Sequence, residues 1–149
     1  MPPVDDATAP APVPGVRLGL PSTGPGSVAS WVRRFTALVI DWLLANLLLL
    51  LVLRDPGPWM PGSPQQLWPI GVWVVLVSLA TGVTGASAGQ HLLNLRVIRL
   101  DRQPVGLWNA LVRTLLVALV IPAVVSDRDR RGLHDLTVGT VVVNGPRSG

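Results

Sequence analysis

Of the eight aspartates in this chain, Asp41 stands where a carboxylate is costly. Residues 35–53 read F-T-A-L-V-I-D-W-L-L-A-N-L-L-L-L-L-V-L, an apolar run long enough to cross a bilayer, with Asp41 as its only charge. An ionised carboxylate deep in a membrane helix costs roughly 2.5 to 3.5 kcal/mol on insertion scales, so such a group faces protein or water and takes a partner. Arg34, seven residues earlier, lies on the same helical face. Helical side chains lean toward the N-terminus, so Arg34 reaches for headgroups rather than closing the two turns to Asp41. Arg113 is the preferred partner. It follows Gly106 by seven residues in a later apolar block, which puts it at the depth of Asp41 if that block enters from the same side. An Asp41–Arg113 ion pair would either lock that block against the first helix or form a site for an ion, a proton or an anion, the remaining alternative being that the two never meet.

Other reactive residue types give weaker signals. Asp135 lies between a basic patch and the β-prone run T-V-G-T-V-V-V, a place to bond strand-start amides or an arginine. Arg128, Arg130 and Arg131 form that patch and are expected at lipid headgroups, worth about 1 kcal/mol each at an anionic surface. Gly85-Ala86-Ser87-Ala88-Gly89 spells the G-x-S-x-G of serine hydrolases, but the strand, sheet and oriented histidine that the motif needs are missing. His91 and His134 are the two histidines, with no carboxylate cluster around either, and there is no cysteine. No catalytic residue, metal site or cofactor is therefore expected, and the chain is not read as an enzyme. Ser78, Gly82, Gly85 and Gly89 belong to rows of small residues spaced by four and are read as a helix-packing surface.

These residues are carried by long apolar blocks. Residues 35–53 and 67–84 read as transmembrane helices, and a third apolar helix covers about 107–125, interrupted by Arg113 and Pro122. Arginines number three in residues 1–34, one in 54–66, three in 85–106, one in the third block and four in 126–149. Positive-inside counting then puts the N-terminus and the 85–106 segment in the cytosol and the 54–66 loop outside. It also favours a third block that is re-entrant or interfacial over one that spans fully, with Pro122 breaking the run. The same counting accounts for a pI near 11.5 without nucleic acid. Residues 95–100 and 137–143 look extended, and their pairing at the cytosolic surface would hold both ends of the third block on one side. Residues 1–30, rich in Pro, Ala and Gly, are expected to be a disordered cytosolic tail, residues 31–143 the membrane domain and 144–149 a flexible C-terminus. The expected fold is thus an all-α membrane protein with two transmembrane helices, a third apolar re-entrant or interfacial helix and a small cytosolic two-stranded β element.

R-R-F-T-A-L-V-I-D at 33–41, G-Q-H-L-L-N-L-R-V at 89–97, the arginine in A-L-V-R-T at 110–114 and R-R-G-L-H-D-L-T-V-G-T-V-V-V at 130–143 resemble the RDD family of small membrane proteins. By position, the arginine and two aspartates of the family name fall on Arg34, Asp41 and Asp135. The family usually shows G-K where this chain has Gly89-Gln90, and L-L-G-L-R-V where it has L-L-N-L-R-V. Any role of that lysine does not transfer. The resemblance implies a bilayer location and no settled activity, with transport of an unidentified ligand the usual suggestion. Two functions stay open: a structural or accessory inner-membrane subunit that self-associates or binds a larger partner, and a component of an oligomeric ion or small-solute transporter with Asp41 as the linked group. Two spans and a hairpin cannot enclose an aqueous path alone, which favours the first.

Overall fold

A computed structural model describes residues 13–119 and 131–146. Helix α1, Trp31–Leu53, starts where the Ser30 hydroxyl accepts a bond from the Arg33 amide and ends at Arg54, whose left-handed backbone returns its N–H to the Leu50 carbonyl. Its buried face is Ala37, Asp41, Ala45 and Leu49, a stripe of i, i+4 spacing in which small residues let neighbours approach closely. The remaining faces stay exposed, Leu43, Leu47, Leu50 and Leu51 among them.

Helix α2, Trp68–Thr84, returns alongside α1, with Trp73 meeting Trp42 edge to face at 6.2 Å. Gly85, at φ 78°, stops it. A short helix α3, Ala88–Leu92, and strand β1, Leu95–Arg99, follow. Helix α4 is described over Gly106–Ala118 and buries Ala110, Arg113 and Thr114. The chain closes with helix α5, Leu133–Thr137, and strand β2, Thr140–Asn144.

The expected β element forms: β1 and β2 pair antiparallel, with Val97 opposite Val142. Ala29, Ala37, Leu95, Val97, Val105, Ala110 and Val142 make the core that joins this sheet to α1 and α4. Among the described residues α1 is the one helix long and apolar enough to cross a membrane, at 23 residues against 17 for α2 and 13 for α4. Of the two full spans expected from hydropathy, α1 has spanning length, and α2 and α4 are shorter apolar helices. The far end of the third block, with Pro122, lies outside the described residues.

The tail departs from its expectation. Residues 13–30 are folded, with a turn of 3₁₀ helix at Val16–Leu18 and Ser27–Ala29 laid along the free edge of β2 through Ala29 N to Val142 O at 2.9 Å and Asn144 N to Ser27 O at 2.9 Å. Composition suggested too little apolar surface to pack, but Leu20 and Val28 suffice because Val141, Val143 and Ile98 give them a preformed apolar sheet face. The C-terminal segment is tied as well, Gly145 donating to the Asn94 carbonyl and Asn94 to the Pro146 carbonyl. Residues 1–12 and 147–149 lie outside the described residues.

Candidate functional site

Two carboxylates organise the end of the molecule that carries the sheet. The first is Asp41. The chain leaving α2 turns at Gly85 and restarts as α3, for which Ser87 and Gln90 form a capping box: the Ser87 hydroxyl accepts from the Gln90 amide, and Gln90 Oε1 accepts from the Ser87 amide. Asp41 reaches this turn from α1. Ser87 Oγ donates to Asp41 Oδ2 at 2.5 Å, and Gly89 N donates to Asp41 Oδ1 at 2.7 Å. Gly89 is required for that approach, since a Cβ on it would sit 2.2 Å from the Ala37 carbonyl oxygen.

Asp41 and Arg113, expected to pair with each other, thus have different partners. Equal depth along two helices fixes height but not azimuth, and the face of α4 that carries Arg113 points at α5. The Arg113 Nε donates to Asp135 Oδ1 at 2.8 Å. Asp135 is fully buried and is the second organising carboxylate: Thr140 Oγ1 donates to the same Oδ1 at 3.0 Å, Arg34 Nη1 lies 3.4 Å from Oδ2, and His134 Nε2 lies 3.5 Å from Oδ2. Arg34 also donates to the Val142 carbonyl and stacks over Trp31. One carboxylate thereby ties α1, α4, α5 and β2.

Burial alone would push Asp135 up, but the guanidinium of Arg113, then the His134 ring where it is protonated and the guanidinium of Arg34, hold it below the usual carboxylate range. His134 goes the other way from its ordinary value: burial, with the two arginines adding to it against the pull of Asp135, lowers it to about 4. At neutral pH the imidazole is uncharged, so the arginines, not the histidine, neutralise Asp135.

The basic patch is partly corrected. Arg131 is buried, not at headgroups, and donates to the Thr140 carbonyl at 3.1 Å; a strand-end carbonyl inside the fold offers it a partner that pattern alone does not reveal. Arg128 and Arg130 lie outside the described residues. Arg33 takes a similar structural place, bonding Asn144 and the Leu93 carbonyl. The small-residue row does lie at close contacts: a Cβ on Gly82 would meet the Leu107 Cα at 2.8 Å, and Ser78 is buried. Gly85 acts instead through its positive φ.

Between α1, α2, α4 and α5 lies a cavity of about 310 Å³. Arg34, Asp41, Ser87, Gln90, Arg113 and His134 give it a polar end. Leu38, Trp73, Val77 and Val117 are among its apolar walls. Among the described residues no group of histidines and carboxylates has the makings of a metal site.

An apolar helix of spanning length, a charged network at its arginine-bearing end and a two-stranded sheet closing that end make up a small, mostly helical protein. The chain belongs to the RDD family: residues 28–139 match the family model of that description. That membership points to a membrane protein. No curated protein and no solved structure matches the chain.

Proposed function

We propose that this chain is a multi-pass inner-membrane protein with a cytosolic N-terminus, acting as a structural or accessory subunit that associates with itself or with a larger membrane partner. The observation that carries this reading is the hub at Asp135, where α1, α4 and α5 are joined by charges turned toward one another rather than toward solvent and β2 by the Thr140 hydroxyl. The exposed leucines of α1 support a lipid environment, because a core helix of a soluble protein is mostly covered by its own chain, whereas the apolar window of α1 is 22% buried. By Arg131 the chain is back at the sheet, bonded to Thr140, which supports a third helix that enters and returns on the cytosolic side.

A second reading, a transporter component linked to Asp41, draws on one observation: this carboxylate borders the cavity. The two separate in one experiment. Under the structural reading Asp135→Asn lowers the amount of protein in the membrane, and Asp41→Asn leaves any cation flux in reconstituted vesicles unchanged. Normal abundance of Asp135→Asn, together with flux that vanishes in Asp41→Asn, would transfer the case to the transporter. Topology is checked with single cysteines, since the chain has none: Gln66→Cys should label from outside intact cells, and Gln103→Cys only after permeabilisation.

A further inference from the structure

Among the described residues, several unpaired donors border the cavity beside the network. Arg113 is buried and gives Nε to Asp135, yet its Nη1 and Nη2 meet no acceptor among the described residues. The same holds for the indole N–H of buried Trp73 and for the side-chain amide nitrogen of buried Gln90, both of which border the cavity. The acceptors nearby are engaged, Asp41 by Ser87 and Gly89, and Gln90 Oε1 by the Ser87 amide. The unpaired Nδ1 of His134 donates or accepts according to the ring tautomer. A buried donor without an acceptor, as the Trp73 N–H is, is costly, and a guanidinium whose Nη edge is open takes an oxyanion in a two-bond fork.

The rest of the space decides what carries that oxyanion. Leu38, Val77 and Val117 make apolar walls, and about 310 Å³ lies within the range of small-ligand clefts. Asp41 borders the same cavity, and Arg113 already shares its charge with Asp135, so a single negative charge is accommodated better than two. We propose that this cavity binds an amphipathic monocarboxylate, its head on the Nη edge of Arg113 and its single acyl chain along Leu38, Val77 and Val117. The site stands beside the structural role and does not depend on transport.

The test uses the full-length protein in maltoside detergent with radiolabelled dodecanoate, bound probe being read by scintillation proximity. Competitors are unlabelled dodecanoate, dodecanol with the same tail and no charge, and acetate with the same head and no tail. Saturable binding displaced by dodecanoate and not by equal concentrations of dodecanol or acetate is expected. Val117→Phe, which fills the apolar wall and touches none of the polar groups, should weaken it by about tenfold or more, as should Arg113→Gln. The proposal is overturned by absence of saturable binding, by dodecanol competing equally, or by acetate competing equally, which would mark a site for free small anions. A folded Val117→Phe that binds as well as the native protein would overturn it too. Should a variant fail to fold, the competition arms on the native protein decide alone.

Discussion

Replacing Asp135 with asparagine keeps the side-chain shape and removes the charge on which two guanidiniums converge. The amide can still accept one bond, from Arg113 at the 2.8 Å position or from Thr140 at 3.0 Å, but its nitrogen then faces another donor. Arg34 and Arg113 have side chains 9% and 8% exposed, so the stranded charge has little water to turn to. Removing one partner of a buried ion pair costs about 3 to 5 kcal/mol. For a domain of this size each kcal/mol corresponds to roughly 2 to 4 °C, which places the melting temperature of Asp135→Asn about 6 to 20 °C below that of the native protein. The assay is thermal unfolding of detergent-purified protein followed by tryptophan fluorescence. Asp101→Asn is the control, because the pair Asp101 makes with Arg99 is at the surface and its loss should leave the melting temperature where it was. Thr140→Val, which removes one bond to the same carboxylate, should fall between them. Asp135→Asn melting within about 2 °C of the native protein, or Asp101→Asn falling as far, would refute the hub.

Three further outcomes follow from the same geometry. Ser87→Ala should destabilise by about 1.5 to 3 kcal/mol, since it removes both a bond to a carboxylate and the cap of α3; an unchanged unfolding midpoint would show that Asp41 takes its support elsewhere. Gly89→Ala drives a Cβ into the Ala37 carbonyl at 2.2 Å and should cost about 1 to 3 kcal/mol, read in the same melt; a neutral result would mean that α3 does not pack on α1 at this distance. His134 is neutral when folded and protonated when unfolded between pH 6.5 and about 4, so stability should decline as pH falls through that window, by up to about 3 kcal/mol. His134→Gln should flatten this decline, and the loss from protonating Asp135, whose folded value is lowered from 3.8, belongs to still lower pH. An equal slope in native protein and variant between pH 6.5 and 4 would sink the assignment.

Hydropathy made α1 legible to within a few residues, because its apolar run has one charge and well-marked ends. The β pair was legible from two short β-prone runs. What did not read through was pairing at a distance. Equal depth suggested Arg113 for Asp41, yet the azimuth of α4 is set by Ala110 and Thr114 packing inward beside Arg113, and nothing in the sequence reports that. The signal for the true partner of Asp41 was present in a different guise: Ser87-x-x-Gln90 is a capping box, visible as S-x-x-Q, and it coincides with the G-x-S-x-G tested only as a nucleophile motif. Gln90, where the family usually has lysine, is the residue that completes that box. Arg33 and Arg131 were missed as structural side chains because an arginine beside an apolar run reads the same whether it meets a headgroup or a carbonyl inside the fold. The tail was misjudged for a related reason: average composition hides that Val28 and Ala29 stand next to an open strand edge.

The most direct measurement is a pair of double-mutant cycles on unfolding stability that share Arg113→Gln, one with Asp135→Asn and one with Asp41→Asn. Residues in direct contact couple by about 0.5 to 3 kcal/mol and independent ones by less than about 0.5. Arg113 and Asp135 should lie at the upper end of that range, and Arg113 and Asp41, which share a cavity but no hydrogen bond, near its lower end. Strong coupling to Asp41 with none to Asp135 would contradict the division of the two carboxylates on which the account of this protein rests.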